Sequence, residues 1–568
     1  MTTYKIRISD RECSKFDVVD SYSLQVIPNP KNLDPIKSKL CNQDIFQMEN
    51  NNVKLLHSSV RCMGIIPGVL VLNGSKTYGK VKEKFLYKCV PDDRRLPIFL
   101  IPYKLKITFS KNIINKYVVF KFKSWVNKHP IGTLVNSLGD VKHLDHFYEY
   151  QLYCKSLYAS IQNITKKAMK KLKEKTEEEY IELIRKKQQL EDHRESRHIF
   201  SIDPMGSKDF DDAFDIEKIN EKETRVGIYI SNVSFWMDAM DLWDSFSNRI
   251  STIYLPDRKR PMLPTVLSDA LCSLTENDIR FAFELHLIVN TSTGEIKNYK
   301  FNNAIIKLER NLRYDTKEQE EYPSYKQLFE IVKLMNTNSK YMDSIDSSHD
   351  LVAYLMITMN YISATQLMKH ESGIYRSAKF DTTFQPPKEA SKTIQKFLKN
   401  WNSSGGTYNK FGKIESHDML DLDAYVHITS PIRRMPDLLN IMILQEKEGL
   451  YNMSIEAKKF YNYWTSDSSL EYINVTMRSI RKVQNDCSLL KICTDDISIL
   501  QNIYDGFIFD KIIRNDALFQ YMVYLPELKM ANRFTSRHDK KNLSNQKFKL
   551  YFFTDEHSLR KKIRVEIQ

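Results

Sequence analysis

Five aspartates crowd into one short stretch, His198-Ile-Phe-Ser-Ile-Asp203-Pro-Met-Gly-Ser-Lys-Asp209-Phe-Asp211-Asp212-Ala-Phe-Asp215. Asp209, Asp211 and Asp212 fall within four positions, and Asp203 stands six before the first of them. Carboxylates this close raise one another's pKa unless a cation or bulk water offsets them. An all-oxygen ligand set favours a hard cation, with Mg²⁺ the natural candidate. Such an ion can activate water and neutralise charge on a reacting phosphate. The alternative is a solvated acidic turn. Against it, Ile202, Phe210, Ala213, Phe214 and Ile216 interleave with the acids and imply partial burial. A calcium loop of the EF-hand type is excluded, because the sixth position counted from Asp209 is Phe214 where glycine is needed.

A second segment, Tyr425-Val-His427-Ile-Thr-Ser430-Pro-Ile-Arg433-Arg434-Met-Pro-Asp437, reads as a Ser-Pro turn and helix start followed by two arginines. Backbone amides at a helix start and guanidinium forks both suit a phosphate. The plainer alternative is an arginine pair closing a structural salt bridge.

These residues need elements to hold them. The apolar strand IFSI runs into Asp203, and a Pro/Gly loop carries the chain to Asp209. Residues 198–495 alternate strand-like and helix-like segments, with helices expected in SYKQLFEIVKLMNTNSKYM, HDLVAYLMITMNYISATQLMKH and YINVTMRSIRKVQNDCSLLKIC. Residues 61–150 read as short strands split by turns, in GVLVLNGS, KTYGKV, PIFLIPY, LKITF and KYVVFKFKSW. The last of these alternates aromatics with lysines, which suits a barrel face offering rings and cations to nucleic acid, or equally a barrel with its rings in the core. Residues 1–60 carry weak patterning and no assigned fold, and 151–197 read as a solvated helical connector of mixed charge. Residues 496–568 return to strands, in YDGFIFDKII, LFQYMVYLPELKM, KFKLYFF and KKIRVEI, which predicts a terminal barrel.

The whole is a multidomain α+β chain. Its net charge of +14 fits a long anionic partner. Eight scattered cysteines without a CxxC pair argue against a zinc ribbon or disulfide framework and for a reducing, intracellular compartment, the cytoplasm. A charged N-terminus and the lack of an apolar run of about 18–20 residues predict neither a signal peptide nor a membrane partner. No Gly-rich phosphate loop or dinucleotide fingerprint points to a small-molecule cofactor. Abundant Lys, Asn and Ile fit an A/T-rich genome such as that of a large DNA virus.

HIFSIDPMGSKDFDDAFDI closely resembles the catalytic signature of the ribonuclease II / ribonuclease R superfamily, and EDHRESR before it resembles the lead-in of the eukaryotic exosome-type members. Further resemblances follow in the family's order: VGIYISNV, YLPDRKRPMLP with LSDALCSL, and YVHITSPIRRMPDLL. The resemblance implies a central α/β RNB catalytic domain flanked by an N-terminal OB/cold-shock-like barrel or barrels and a C-terminal OB-like barrel. It implies a Mg²⁺-dependent hydrolytic 3′→5′ exoribonuclease acting on single-stranded RNA and releasing nucleoside 5′-monophosphates. Asp203, Asp209, Asp211 and Asp212 would be the metal ligands, with Asp211 and Arg433 catalytic. Tyr254 would stack on the 3′-terminal base and Tyr314 read ribose. Arg433 would contact the scissile phosphate and Arg434 a neighbouring one, with His427 and Ser430 alongside the RNA.

The chain departs from the family pattern at Tyr229, Asn232, Tyr354, Ser372, Met435 and Ile441. These departures keep a rival reading in play, a catalytically inactive RNA-binding protein on the same fold. A DNA exonuclease would use the same acids.

Overall fold

The structure, a computed structural model, describes residues 2–568 apart from 31–32, 50–51, 75, 106–112, 340, 380–383, 403–405, 515 and 557–558. Its contacts divide the chain into two compact units, Met1–Tyr158 with Leu255–Arg258 and Arg481–Gln568, and Ala159–Tyr254 with Lys259–Ile480.

The first unit holds three β-sheets. Residues 4–57, whose pattern predicted no fold, form a five-stranded antiparallel sheet in the order Val26–Ile27, Phe16–Asp20, Tyr4–Ile8, Ile45–Glu49, Asn52–His57. Ile6, Ile8, Val18, Leu40 and Phe46 supply its core. In the second sheet Ile66–Leu70, Lys116–Ser124, Ile131–Asp140, Phe99–Tyr103 and Lys84–Pro91 pair in turn, and Lys84–Pro91 pairs back to Ile66–Leu70 to close a barrel. The expected strand LKITF lies, beyond Leu105, outside the described residues. The aromatic-lysine segment splits between its two readings. Tyr117 and Phe120 are fully buried. Phe122 and Trp125 lie beside Arg61 and Lys39, whose charged groups are 5.2 and 5.8 Å from their rings. The terminal strands Ile503–Ile513, Phe519–Leu525, Met530–Ser536, Ser544–Thr554 and Lys561–Ile567 form a third, antiparallel sheet over Ile508, Tyr521, Val523, Phe534 and Phe548.

The second unit is built on a closed sheet. Ile199–Asp203, Asp212–Lys218, Glu223–Ser231 and Ile279–Asn290 pair in that order. The 18-residue strand Ile296–Arg313 then pairs antiparallel with Ile279–Asn290 through its first part and parallel with Ile199–Asp203 through its last, closing the ring. Glu223–Ser231 and Ile279–Asn290 are covered on both faces over most of their length and carry mostly apolar residues. Phe214, Val226, Ile228, Phe283 and Leu285 face the helices, while Ala213, Tyr229, Ala282, Ala304 and Ile306 fill the ring. Ser348–Lys369 is, among the described residues, the one helix long and apolar enough to cross a membrane by length and composition, and most of it is buried within this unit.

Two expectations change. The segment 151–197 is not a solvated connector. Its helices Gln162–Glu174 and Glu177–Lys187, separated by a capping box on Thr176, bury Ile164, Ala168, Tyr180, Ile181 and Ile184 in the core of the second unit. Lys167 also reaches Asp244, and Glu177 pairs with Arg280. The second compact unit runs from Ala159 to Ile480, without Leu255–Arg258, and ends within the helix Asp467–Asp495, where the sequence placed divisions at 198 and 495.

Space inside the ring is tight at Gly227, where an added Cβ would collide with Asp215 and Tyr229. Gly227→Ala should therefore destabilise the protein by roughly 1–3 kcal/mol. A urea-unfolding midpoint equal to wild type would show that the ring interior has slack.

Candidate active site

Asp203 ends its strand opposite Arg313 on the parallel neighbour. Its Oδ2 accepts from Ser201 Oγ at 2.6 Å, and Asn311 Nδ2 donates to that hydroxyl at 2.8 Å. The chain then turns through Gly206, whose φ of +83° favours glycine. Ser273 pins the return, accepting from Phe210 N at 3.0 Å and donating to Lys208 O at 2.8 Å. Asp212 opens the next strand of the ring.

The arginine segment arrives from far along the chain. Its backbone is held by Thr252 N donating to Arg433 O at 3.0 Å and Met435 N to Ile250 O at 2.9 Å. Asp437 Oδ1 accepts from Ser430 N and from Arg434 Nη2, each at 2.8 Å. The helix Met435–Lys447 begins after the arginines, with Arg434 as its N-cap, so no helix start precedes them as the sequence suggested. Ile432 N donates to Asp211 Oδ1 at 3.0 Å, and Arg433 Nε donates to Asp211 Oδ2 at 2.9 Å.

A cavity of about 570 Å³ results. Asp203, Asp209, Asp211, Asp212, Arg433 and Arg434 line it, together with Tyr254, Tyr314, His427, Ser430 and Asn360. All the site residues expected from sequence thus border one space. Both arginines also close salt bridges, the plainer alternative, so the two readings coexist. Arg434 is largely spent on Asp437, whereas Arg433 remains 40% exposed with Asp211 as its guanidinium's hydrogen-bond partner. The Tyr254 ring is exposed. Tyr314 stacks on His349 at 3.8 Å between ring centroids.

The departures from the family pattern lie elsewhere. Asn232 Nδ2 donates to Asn303 and Gln445 in the core, at 3.2 and 3.0 Å. Tyr229 Oη donates to Asp215, and Tyr354, Met435 and Ile441 are fully buried. None of these, nor Ser372, borders the cavity.

The electrostatics are those of acids short of cations. Burial lifts Asp203 to about 6 and Asp211 to about 7, against the pull of Ser201 on the first and Arg433 on the second. Asp212 is pushed well above the carboxylate range by burial, with Asp203 and Asp211 adding to it. Burial, Arg434 and Arg376 hold His427 far below the usual imidazole range, so it stays neutral. Among the described residues no three His, Cys, Asp or Glu side chains form a ready-made metal cluster. The donors are nonetheless all carboxylate oxygens in one space, and burial raises the pKa of Asp203, Asp211 and Asp212, so the set fits a hard divalent ion.

One residue escaped the sequence reading. Lys259 Nζ lies 2.8 Å from Asp209 Oδ1, and Tyr254 Oη donates to Asp209 Oδ2 at 3.2 Å. The signal lay in YLPDRK, where strands Ile253–Tyr254 and Lys259–Arg260 pair Tyr254 directly with Lys259.

Fold and cavity together define a multidomain chain in which a ring-shaped acidic domain accompanies small barrels. Residues 187–321 match the RNB domain, and residues 86–149 match the Dis3-like cold-shock domain 2 (CSD2). The chain is 38% identical to ribonuclease R of Ureaplasma parvum serovar 3 over 120 residues, 21% of this chain and 16% of that protein. It is 37% identical to the probable exosome complex exonuclease RRP44 of Caenorhabditis elegans over 120 residues, 21% of this chain and 12% of that protein. The matches span less than half the length of these curated relatives, between 12% and 47%. In fold the chain is similar to Mycoplasma genitalium RNase R in complex with ribose-methylated single-stranded RNA, with a TM-score of 0.69 at 15% identity over 99% of this chain and 100% of that one. It is also similar to yeast Ssd1, a pseudonuclease, with a TM-score of 0.56 at 14% identity over 94% of this chain and 78% of that one. Two stretches of the chain, 86–149 and 187–321, are thus similar to the cold-shock and RNB domains, and the sequence matches are to ribonuclease R and RRP44.

Asp203 makes a direct pH prediction. Its folded pKa of about 6 stands above the ~3.9 of an unfolded chain, so the folded state binds the extra proton and loses stability as pH rises between those values. In chelator, Asp203→Asn should be more stable than wild type by roughly 1–3 kcal/mol at pH ~8 and gain nothing near pH ~4. Denaturant titrations at the two pH values check this. An equal difference at both would mean the carboxylate is not desolvated.

Proposed function

We propose that this protein is a hydrolytic 3′→5′ exoribonuclease that shortens single-stranded RNA and releases nucleoside 5′-monophosphates, with Mg²⁺ as its metal. The observation that carries the reading is the convergence of Asp203, Asp209, Asp211 and Asp212 with Arg433 on one cavity. Asp203 and Asp212, with Asp209 bordering the same space, would hold the divalent ion, which when bound supplies an activated water and offsets phosphate charge. Asp211 has both oxygens engaged by Ile432 and Arg433, so its role moves from ligand to anchor. It fixes the Arg433 guanidinium, whose Nη groups offset the charge that grows on the phosphate oxygens as the P–O3′ bond breaks. The exposed ring of Tyr254 suits stacking on a terminal base of any identity. His427, neutral and 2.7 Å from Tyr408 Oη through Nδ1, adds no repulsion to the arginines beside it. The net charge of +14 supports an RNA partner, and the free cysteines support a reducing compartment. The intact acids and the absence of the departures from the cavity favour activity over the inactive RNA-binding alternative.

The test is to incubate the protein with 5′-labelled single-stranded RNA, with Mg²⁺ or chelator, beside Asp211→Asn. Wild type should shorten the RNA progressively from its 3′ end only with Mg²⁺. The variant should bind RNA nearly as well but turn over at least ~10²-fold more slowly, the usual scale for a lost transition-state contact. Binding without shortening by wild type would sink the reading and leave an RNA-binding protein. Arg433→Lys should also slow the chemical step, because an ammonium cannot both pair with Asp211 and present a planar fork.

A further inference from the structure

The acidic cavity comes with a cation of its own. Lys259 Nζ lies 2.8 Å from Asp209 Oδ1 and 2.9 Å from Asp269 Oδ1. The three side chains are only 22%, 10% and 20% exposed, respectively. Tyr254 Oη takes the second oxygen of Asp209. Register explains why both groups reach one carboxylate. Tyr254 and Lys259 are directly opposed across a two-stranded antiparallel pair, so their side chains leave the same face. Asp269 grips the ammonium as well, and Ser268 Oγ donates to the same Asp269 oxygen. Lys259 is therefore a built position rather than a wandering surface lysine, and its two acidic neighbours raise its pKa and hold it charged.

A divalent ion seated on Asp209 would meet that fixed positive charge at a few ångströms, where repulsion in a half-buried site is strong. Asp203 and Asp212 have no such lysine. We propose that Lys259 is the resident cation of Asp209, occupying one of two cation positions the carboxylates could otherwise supply, so that the site takes a single divalent ion at Asp203 and Asp212. This rests on the metal-dependent reading above. Lys259 acts through Asp209 and so is a positioning residue. With it, the charge on a bound phosphate is met by one metal ion, Arg433 and a permanent ammonium.

The test is Mn²⁺ binding to the full chain without RNA, with free Mn²⁺ followed by electron paramagnetic resonance. Wild type should bind one ion. Lys259→Gln should bind a second, or the first at least ~10-fold more tightly, once a like charge beside the metal position is removed. Lys259→Arg, which keeps the charge, should stay at one ion. Asp269→Asn, which loosens the ammonium without touching Asp209, should move in the direction of Lys259→Gln, and it answers the question if that variant fails to fold. Two ions in wild type, or Lys259→Gln and Asp269→Asn both indistinguishable from wild type, would overturn the role of Lys259 and leave the metal site standing. No Mn²⁺ bound by wild type, or binding insensitive to Asp203→Asn, would overturn the metal reading itself.

Discussion

The site hangs on the pair between Asp211 and Arg433, residues 222 positions apart in the chain. Asp211 is almost completely buried, and a buried carboxylate without a partner is too costly to keep ionised. Its two oxygens take one backbone amide and one guanidinium nitrogen. That satisfies the acid and aims the arginine with one set of bonds. The segments that support the pair are themselves held by backbone bonds to residues 250–252 and by Asp437, so the arginine turn is braced from both sides.

Charge balance explains much of the surrounding cast. Burial, with the neighbouring acids adding to it, lifts the pKa of Asp203, Asp211 and Asp212, and the chain sets Arg433 at Asp211, Lys259 at Asp209 and Arg313 near Asp203. Asp212 receives the least of this help and is pushed furthest from its ordinary value. The carboxylates left without a fixed partner are the ones free to take a cation from solution, which is how a site can be folded and still hungry for metal.

What the sequence disclosed follows from distance along the chain. The acidic loop was legible because its four lining aspartates lie within ten residues, and the arginine turn because its proline and arginines lie within four. The long helices were legible from their apolar spacing. The helices of 162–187 were not, since their charged faces outweigh the few apolar residues that bury them, Ile164, Ala168, Tyr180, Ile181 and Ile184. The N-terminal sheet was missed because its strands are two to six residues long, too short for alternation to stand out. Lys259 was missed because the acid that gives it meaning lies 50 residues earlier. Asn232, Met435 and Ile441 cast doubt on the site as letters in a motif. Their side chains belong to the core, where shape and internal hydrogen bonds decide the residue.

The closed ring of the second unit has a consequence for association between molecules. A strand at the rim of an open sheet exposes unpaired amides and carbonyls that can template another chain. Closure by Ile296–Arg313, which pairs with a strand on each side of the gap, shortens that rim in the ring. The five-stranded sheets at the two ends of the chain stay open. Of their four outer strands, Val26–Ile27 is only two residues long and Lys561–Ile567 carries Lys561, Lys562 and Arg564, charges that disfavour a second copy, whereas Asn52–His57 and Met530–Ser536 are longer edges.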